Sequence, residues 1–426
     1  MKIAVIGAGI IGVTTAYELA ADGHQVTVFE RRSAVAEETS FANAGVVAPG
    51  YVTPWAAPGM PSKVLSYLFS SHAPVRVRMP LSTREIAWMW RWLRACNLSS
   101  YMTNRARLQR LAFYSRSRLH ALSNDLHLDY ERSEGYMVLL RSEKEHKLVQ
   151  PSLQVLREAG VAFKELNADD ARKIEPALNP DTALHAAIYL PEDEVGNCRQ
   201  FAMLLKAEAQ RLGVQFKFNT TVAGLDKSAP ASLTITNETT PQIFDAVVLC
   251  AGLDSAQLLA GLGIKMPMAA VYGYSVSAAV REPLHSPRSA LMDERYKVAI
   301  TRIGQRVRVA GSAEIGGTLG EHRESAIQTL YKVLGDWFPG AAQLASHRRG
   351  NAVGTGVQEW KGARPMLPDG PPVIGASGLP GLWLNLGHGS SGWALSCGCA
   401  RAVTDLIAGR QPDVDLEGLG IERLQG

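Results

Sequence analysis

The sequence lacks the features that mark several classes of protein. Its five cysteines are scattered without a C-x-x-C pair, which is typical of reduced thiols and predicts neither disulfides nor a metal site. No run of 18 apolar residues is present, so we expect no transmembrane helix. The net charge is only +4, without a long Lys/Arg run, which argues against a nucleic-acid partner. What remains, with 46% hydrophobic and 20% charged residues, is the composition of a soluble globular protein.

The first thirty residues carry a nucleotide-binding pattern. The apolar, β-branched run 2–6 predicts a short buried strand, and residues 13–20 continue with helical periodicity after the glycine-rich stretch GAGIIG. A second predicted strand, 25–29, leads directly to Glu30. A G-x-G-x-x-G fingerprint has its meaning only in this strand–turn–helix–strand context. The fingerprint begins at residue 7, which leaves no room for a signal peptide, so we expect a cytoplasmic location.

Each residue of the fingerprint has a physical task. Gly7 permits the tight turn, Gly9 lets the backbone approach a pyrophosphate, and Gly12 lets the helix pack on its strand. The helix N-terminus supplies amide donors and a positive potential for the phosphates. Glu30 would accept hydrogen bonds from ribose hydroxyls and repel a 2′-phosphate. The pattern therefore predicts an ADP-containing dinucleotide.

The rest of the chain alternates between helical and strand patterns. Residues 31–62 are rich in Gly, Pro, Ala and Asn, and a loop of this length is usually functional. Residues 79–124 are helical in pattern, with a capping box formed by Ser82 and Glu85. The further predicted helices are 143–159, 199–212, 321–337 and 396–408. The further predicted strands are 134–140, 214–218, 245–250, 372–374 and 382–385, and short alternating runs between about 266 and 312 indicate an antiparallel sheet.

This order of elements predicts two interleaved domains of α/β class, because nucleotide-type strands return at the end of the chain. We expect a discontinuous Rossmann-like FAD-binding domain made of residues 1–60, 185–265 and 345–426. An antiparallel β-sheet with helices, made of residues 61–184 and 266–344, is the predicted substrate domain.

Four glycine- or Asn-bearing turns, at 7–12, 40–45, 251–252 and 387–392, favour FAD over a nicotinamide cofactor, because a long, fixed flavin needs backbone donors along its length. In LNLGHGSSGW the last turn opens a helix, whose N-terminus would stabilise a reduced anionic flavin. The alternative is that the glycines of this last turn serve only close packing of the chain. The predicted FAD-binding residues are Gly7, Gly9, Ile10, Ile11, Gly12, Glu30, Arg31, Ser40, Asn43, Ala44, Gly45, Val46, Val222, Ala251, Gly252, Gly387, Gly389, Ser390, Ser391, Gly392 and Trp393.

The sequence resembles the D-amino acid oxidase-like flavoprotein superfamily and, within it, the D-amino acid dehydrogenase small subunits. The resemblance spans nearly the whole chain. The matching stretches are VIGAGIIGV, ETSFANAG followed by PGYVTPWAAPGMP, WMWRWLRACNLSSYMTNRARLQRLAFYSR, LPEDEVGNC, DERYKVAITRIGQRVRVAG, GARPMLPDGPPVIG and LWLNLGHGSSGW. Sarcosine and glycine oxidases share the first and last of these motifs but differ in the second and third stretches.

The resemblance implies a set of substrate-site residues. Arg364 in GARP matches the arginine that pairs with the substrate carboxylate, a task for which a planar guanidinium is suited; a surface arginine before a proline turn is the alternative. Tyr296 matches an active-site tyrosine, with core packing as the alternative. Tyr272 and Tyr274 share one face of a predicted strand, where either one closes the pocket or both pack in the core. His388, in the GHG turn, is expected to position the cofactor, and an acid–base role is less favoured.

The implied reaction is oxidative deamination of a D-amino acid. Arg364 fixes the carboxylate and the Cα–H faces flavin N5, so hydride transfer needs a neutral amine but no general base. The imine then hydrolyses to a 2-oxo acid and ammonia. Covalent attachment of FAD in some relatives needs His or Cys near the second glycine turn, or Cys near GARP. SFANAG has neither, and no cysteine lies between residues 251 and 396, so bound FAD is expected to be non-covalent.

The family passes its electrons to a membrane quinone, which directs attention to residues 63–95. This stretch carries apolar and aromatic residues with arginines between them, a composition that suits a bilayer interface on the inner membrane. The alternative is that Trp88 and Trp92, four residues apart, face the core. The apolar and aromatic residues are Leu65, Tyr67, Leu68, Phe69, Trp88, Met89, Trp90, Trp92 and Leu93, and the arginines are Arg76, Arg78, Arg84, Arg91 and Arg94.

Three functions stay open at this point. The first is an FAD-dependent D-amino acid dehydrogenase with a quinone-type acceptor. The second is a relative of the same fold, either a D-hydroxyproline dehydrogenase or an oxygen-using amine or glycine-type oxidase. The third is a non-catalytic, FAD-bearing partner subunit, which would have no use for a carboxylate-binding Arg364. Substrate preference and oligomeric state, including a homo-oligomer, are not determined by the sequence.

Overall fold

The computed structural model describes residues 1–67, 72–227, 229, 231–344 and 356–425. In these ranges the helices are α1 (Ile10–Ala21), α2 (Met60–Tyr67), α3 (Thr83–Ala95), α4 (Leu98–Asp125), α5 (Glu143–Glu158), α6 (Ala168–Ile174), α7 (Cys198–Arg211), α8 (Ser255–Gly261), α9 (Glu324–Trp337) and α10 (Gly392–Ile407). The strands are β1 (Lys2–Ile6), β2 (Gln25–Phe29), β3 (Val46–Val47), β4 (Val75–Val77), β5 (Ser133–Leu140), β6 (Lys164–Leu166), β7 (Ala186–Val195), β8 (Gln215–Lys217), β9 (Val222–Leu225), β10 (Ser232–Ile235), β11 (Gln242–Ile243), β12 (Ala246–Leu249), β13 (Ala269–Ala279), β14 (Ala290–Asp293), β15 (Val298–Ile303), β16 (Arg306–Ile315), β17 (Gln358–Met366), β18 (Val373–Ala376) and β19 (Leu382–Leu386).

The first sheet is mostly parallel, in the order β18-β19-β12-β1-β2-β8. Only β18 runs antiparallel to its neighbour. Its central strands are apolar on both faces because both faces are covered. One face packs against α1, α7 and α10, with α4 behind them, and the other against α8 and the small sheet β11-β10-β9. The carboxyl ends of β1, β2, β12 and β19 therefore meet at one edge, where ligands of such sheets bind.

The second sheet is mixed and mainly antiparallel, in the order β17-β13-β16-β15-β14-β5-β7-β3, with β4 beside β16 and β6 beside β7. Its strands alternate between two cores. In β5, for example, Met137 and Leu139 pack towards α9, while Tyr136, Val138 and Leu140 pack towards α5. This alternation of period two is what a sheet covered on both faces requires. On the α5 side, Tyr136 and Val138 also line the cavity that lies between the two sheets.

The predicted elements agree closely with the observed ones, and the predicted capping box at the start of α3 is present, with the Ser82 hydroxyl accepting from the Glu85 amide. The predicted domain boundaries cut across the sheets. Strands β7 and β17 lie in the mixed sheet, although the prediction places both in the FAD-binding stretches. Residues 345–355 of the last predicted stretch lie outside the described residues. The two-domain division itself stays a prediction.

Candidate active site

A cavity of about 720 Å³ lies between the edge of the parallel sheet and the mixed sheet. Its size falls in the usual range for cofactor and substrate sites, roughly 300–1,000 Å³. The turn after β1, the loop from residue 37 to 57, and the turns after β12 and β19 line one end. Strands β5, β7, β13 and β17 with helices α4 and α5 line the other. We call these the dinucleotide end and the substrate end.

Two glycines of the fingerprint, Gly7 and Gly12, have no room for a side chain. A Cβ on Gly12 would lie 1.8 Å from the Gly7 carbonyl oxygen, and one on Gly7 would lie 2.7 Å from the Cys250 carbonyl oxygen. Gly7 also has a φ of +99°, which favours glycine. Gly7 lines the cavity, whereas Gly12 packs α1 on β1 behind it. Close packing here brings the N-terminus of α1 to the cavity.

Two side chains hold the turn after β1. The Ser40 hydroxyl accepts a hydrogen bond from the Ile10 amide at 3.0 Å, so it occupies one donor of the α1 N-terminus while its own proton stays available to a phosphate. The Glu30 carboxylate accepts from the amides of Ala8 (2.7 Å) and Arg32 (2.8 Å). Each carboxylate oxygen can accept further hydrogen bonds. Glu30 is thereby fixed at the end of β2, where the prediction requires a ribose acceptor.

Charged side chains at the dinucleotide end are paired with one another. Arg31 donates two hydrogen bonds to Glu38, at 2.9 and 2.7 Å, and also pairs with Asp254. Arg32 donates to Glu38 as well, at 2.7 Å. The hydrogen bonds to Glu38 raise the pKa of Arg31 above its ordinary value. These ion pairs join the loop that carries Ser40 to the turn after β12.

The second predicted turn is held from behind by buried donors. The Arg308 guanidinium donates to the Asn43 carbonyl oxygen (2.8 Å) and to the Ser277 hydroxyl (2.8 Å), and burial lowers its pKa to about 10. The Trp393 indole donates to the Gly45 carbonyl oxygen at 3.1 Å. Gly45 has a φ of +76°, which explains why glycine stands there. The Gly45 amide donates to the Asn43 Oδ1 atom at 3.0 Å, so the turn is also fixed by its own residues.

The last predicted turn leads into α10 and carries an unsatisfied histidine. His388 is buried, and no described residue pairs with its Nε2 atom. Burial lowers the pKa of His388 to about 3, so the imidazole is neutral and has one nitrogen available for a ligand. The Asn385 Oδ1 atom, at the end of β19, also has no partner among the described residues. Both residues line the cavity, which places two unsatisfied polar groups beside the α10 N-terminus.

Of the predicted FAD-binding residues, all line the cavity except Gly12. The predicted carboxylate-binding residue, Arg364, lines it at the substrate end. It projects from β17 across the neighbouring strand β13, where a Cβ on Gly273 would lie 2.3 Å from its Nη2 atom. Gly273 thus provides the space that the guanidinium occupies. Neither Gly273 nor this contact was predicted.

Arg364 is partly buried and has no anionic partner among the described residues. Its one side-chain hydrogen bond there is from Nη1 to the Ser312 carbonyl oxygen, at 3.0 Å. Burial lowers its pKa to about 10, so the guanidinium remains protonated at neutral pH. Ser312 has a φ of +62°, a rare conformation for a residue other than glycine. A partly buried cation that lines a cavity and has no counter-ion is suited to binding an anionic group.

Tyr274 and Tyr272 share one strand face, as predicted, because the same ammonium, Lys361 Nζ, lies 5.3 and 4.5 Å from their ring centroids. Tyr274 lines the cavity, but its hydroxyl donates to the buried Glu314 at 2.9 Å. Lys361 pairs with the same carboxylate at 2.9 Å. Tyr272 does not line the cavity. These tyrosines therefore belong mainly to a charged network behind Arg364.

Tyr296 lies away from the cavity. Its ring packs against Arg141 (5.3 Å from guanidinium carbon to centroid) and Lys332, on the α9 side of the mixed sheet. Met292 and Glu294 line the cavity, but the turn that follows has Lys297 in a left-handed conformation, with φ +51°. The period of two ends there, and Lys297 rather than Tyr296 faces the cavity. Tyr296 was predicted from the family match, and its ring takes the alternative position given for it, packed in the core on the α9 side.

Other lining residues were not predicted. The Tyr51 hydroxyl donates to Glu294 at 2.6 Å, which joins the long loop to β14. Trp360, on β17, and Tyr136, on β5, are among the further aromatic residues of the lining. Tyr51 stands in the loop 31–62 that was predicted to be functional, so a signal for it existed. Glu294 and Trp360 had none, because only the tertiary fold brings their strands to the cavity.

The comparisons with known proteins agree with this geometry. The profile of the DAO family, described as FAD dependent oxidoreductase, matches residues 2–406. The chain belongs to this family. The oxidoreductase is similar to D-amino acid dehydrogenases of Cereibacter sphaeroides (41% identity, 99% of this chain and 95% of the relative) and Bradyrhizobium diazoefficiens (40% identity, 99% of each). The fold matches glycine oxidase from Geobacillus kaustophilus with a TM-score of 0.77 at 22% identity, covering 100% of this chain and 99% of that one.

The cavity fits the FAD that this oxidoreductase family uses. The dinucleotide end has the glycine cradle and the anchored Glu30 that an ADP group needs. The far turn offers the unsatisfied His388 Nε2 atom and the α10 N-terminus to a flavin ring. Between them, the glycine turns at 40–45 and 251–252 line the cavity. The FAD-dependent oxidoreductase fold is thereby confirmed as predicted.

The predicted membrane-facing segment is divided by the structure. Trp88 and Trp92 are buried, and the Trp88 indole donates to the Met366 carbonyl oxygen at 2.9 Å, so these two face the core. Trp90 and Leu93 are exposed, with 61% and 44% of their surface accessible. Leu68 and Phe69 lie outside the described residues. None of the helices in the described part of the oxidoreductase is long and apolar enough to span a membrane.

Proposed function

We propose that this oxidoreductase oxidises D-amino acids to 2-oxo acids and ammonia and passes the electrons to a quinone-type acceptor. The observation that carries the proposal is Arg364, a partly buried guanidinium that lines the cavity without an anionic partner among the described residues. The curated relatives with about 40% identity over nearly the full length are D-amino acid dehydrogenases. A carboxylate clamp in the same cavity as a flavin turn is what such a reaction needs.

The chain's own residues position the substrate. Arg364 binds the carboxylate through two parallel hydrogen bonds, while the Ser312 carbonyl fixes the guanidinium. The surrounding apolar walls exclude water, which lowers the pKa of the substrate amine and favours its neutral form. No proton acceptor is required at Cα, because bound FAD supplies the hydride acceptor. The imine is released and hydrolysed in water.

We propose that FAD is held without a covalent bond. Cys250 is the one cysteine among the described lining residues. Burial raises the pKa of its thiol to about 12, and it lies 3.8 Å from the Thr15 hydroxyl. A buried thiol at neutral pH is a poor nucleophile. Precipitation of the protein with acid should therefore release the flavin into the supernatant.

The alternative functions would use the same cavity and differ in the substrate or electron acceptor that enters it. A D-hydroxyproline dehydrogenase or an oxygen-using oxidase would use the same Arg364. A non-catalytic FAD-bearing subunit would have no use for it, because an unpaired buried cation is costly to keep. The substrate screen below separates the first two from the main proposal, and an unreactive flavin would favour the third.

For the electron acceptor we propose that α3 docks on the inner membrane. Ile86, Trp90 and Leu93 are exposed apolar residues on this helix, and Arg84 and Arg94 are exposed beside them. Trp and Arg together suit the headgroup region of an anionic bilayer. Flotation with anionic lipid vesicles should carry the protein upward, and a Trp90→Ser, Leu93→Ser variant should remain at the bottom. Equal flotation of both would exclude this face.

The experiment that tests the proposal is anaerobic reduction of the flavin spectrum by D-alanine, D-proline and L-alanine, added separately. Bleaching by D- but not L-alanine is the expected result. Reoxidation by a quinone analogue but only slowly by air would identify a dehydrogenase. A spectrum that no amino acid changes would contradict the proposal, and fast reoxidation by air would favour the oxidase.

A further inference from the structure

A second arginine lines the cavity without a counter-ion. Arg105, on α4, is only 3% exposed. Its Nε atom has no partner among the described residues. Its other nitrogens make only long contacts, 3.5 Å from Nη1 to the Tyr101 hydroxyl and 3.4 Å from Nη2 to the Ser152 carbonyl oxygen. These distances are at the limit of a hydrogen bond, so the guanidinium is poorly satisfied by the protein.

The other arginines of α4 show what a structural role looks like on this helix. Three of the other four pair with carboxylates: Arg118 with Glu18 at 2.7 Å, Arg116 with Glu192 at 3.2 Å, and Arg110 with Asp415 at 2.7 Å. None of these three lines the cavity. The fourth, Arg107, donates to the Asn104 amide oxygen at 3.0 Å and does not line the cavity either. Within the described ranges, Arg105 has no carboxylate within 4 Å. Burying a cation without an anion is costly, so its position points to an anionic ligand group.

The walls near Arg105 fit an aliphatic chain that ends in such a group. The lining there is supplied by α5, β5 and β7 and is mainly apolar. The substrate end also has an excess of positive charge. Its charged lining residues are four cations, Lys63, Arg105, Lys297 and Arg364, and one anion, Glu294. A ligand with two negative groups and one positive group would balance this set better than one with a single carboxylate.

We propose that Arg105 binds a second carboxylate, carried on the side chain of the substrate, and that the enzyme therefore prefers acidic D-amino acids of the D-glutamate type. This inference rests on the proposed function, with Arg364 on the α-carboxylate. Arg105 then decides specificity: it binds the end of the side chain and is not at the reacting bond. A quinone carries no charge, and its binding would leave the guanidinium unpaired.

The test compares D-glutamate with D-glutamine, a neutral molecule of nearly the same shape, on the holoenzyme. We expect kcat/KM for D-glutamate to exceed that for D-glutamine by about 10- to 100-fold, the usual worth of a charge-assisted hydrogen bond. Arg105→Gln should abolish this preference, so that the kcat/KM values for D-glutamate and D-glutamine lie within about 3-fold of each other. Arg105→Lys should retain part of it. Arg110→Gln is the matched control and should behave as the unchanged protein.

Two further results separate the possible failures. If D-alanine reduces the flavin but D-glutamate is no better than D-glutamine, the side-chain site is wrong and the proposed function stands. If no D-amino acid reduces the flavin, the proposed function itself fails. If Arg105→Gln does not fold, the unchanged protein still tests the inference. Glutarate should perturb the flavin spectrum at a concentration about 10-fold or more below that needed for butyrate. Equal concentrations for the two acids would overturn the inference.

Discussion

The two ends of the cavity solve the same problem, the binding of an anionic ligand, in different ways. At the dinucleotide end the donors are backbone amides, and the charged side chains there form ion pairs with one another, Arg31 with both Glu38 and Asp254. At the substrate end Arg364 is partly buried and Arg105 is buried, and both have only carbonyl or hydroxyl partners among the described residues. The ion pair raises the pKa of Arg31, whereas burial lowers that of Arg364 to about 10.

This difference indicates which end of the cavity determines specificity for the substrate. Backbone amides at the N-terminus of α1 recognise any phosphate, so the dinucleotide end needs only small residues in the right order. An unpaired guanidinium destabilises the ligand-free protein, and only an anion of matching geometry offsets this cost when it binds. Substitutions at the first end should therefore act on cofactor retention, and substitutions at the second on substrate binding.

The largest expected effect is at the dinucleotide end. Gly12→Ala places a methyl group 1.8 Å from the Gly7 carbonyl oxygen, which α1 can relieve only by moving off β1. We expect purified protein with little or no bound FAD and a lower melting temperature. The ratio of absorbance at 450 nm to that at 280 nm measures the flavin content.

The control for this change is Gly335→Ala, an exposed position in the last turn of α9 with nothing near the added methyl group. Alanine there should stabilise the helix by about 0.5–1 kcal/mol and leave the flavin content unchanged. Full flavin occupancy in Gly12→Ala would show that the packing of α1 does not govern FAD binding.

The next effect is at the substrate end. A Cβ in Gly273→Ala would lie 2.3 Å from Arg364 Nη2, so the guanidinium must shift while FAD stays bound. A displacement of about 1 Å in a positioning group costs roughly 10²-fold in rate, and we expect kcat/KM for D-alanine to fall by about that factor. Gly224→Ala, on β9 with open space around it, should leave both flavin and turnover unchanged. Unchanged kinetics in Gly273→Ala would mean that Arg364 does not hold the substrate.

A smaller effect should come from Ser312, whose carbonyl fixes Arg364. Ser312→Val penalises the left-handed conformation, by about 1–2 kcal/mol, and turns the carbonyl away. We expect KM to rise by about 3- to 10-fold with little change in kcat. Ser312→Gly accepts the same φ and loses only the contact of its hydroxyl with Arg323, 3.2 Å long, so its KM should be nearly unchanged. Equal KM values in the two variants would show that the backbone conformation at this position is unimportant.

The smallest effect concerns a buried carboxylate behind the substrate end. Burial raises the pKa of Asp193 from 3.8 to about 7, against the opposing charge of Arg116. Because the folded state holds this proton more tightly, the stability that Asp193 contributes is full below pH 4 and is lost as pH rises towards 7. The free energy of unfolding of Asp193→Asn, relative to the unchanged protein, should therefore rise between pH 5 and 8. A difference independent of pH would contradict the assignment.

The comparison also explains how much could be predicted from the sequence. The dinucleotide end was predicted nearly completely, because its glycines and Glu30 lie within one local strand–turn–helix–strand unit. Arg364 and His388 were predicted from family motifs. Gly273, Ser312 and Arg105 were missed because each acts through a neighbour from a distant part of the chain. Tyr296 was predicted from the family match alone, and only the tertiary fold shows that its ring packs on the α9 side of the mixed sheet.

The central claim, that Arg364 is kept unpaired to bind a carboxylate, is tested most directly by the dissociation constant of butyrate. It is measured by perturbation of the flavin spectrum in the unchanged holoenzyme and in Arg364→Met and Arg364→Lys. Loss of one partner of a buried charged pair costs roughly 2–5 kcal/mol, so Arg364→Met should bind butyrate about 30-fold or more weakly, with Arg364→Lys between the two. Equal dissociation constants in all three proteins, with FAD fully bound, would contradict the account.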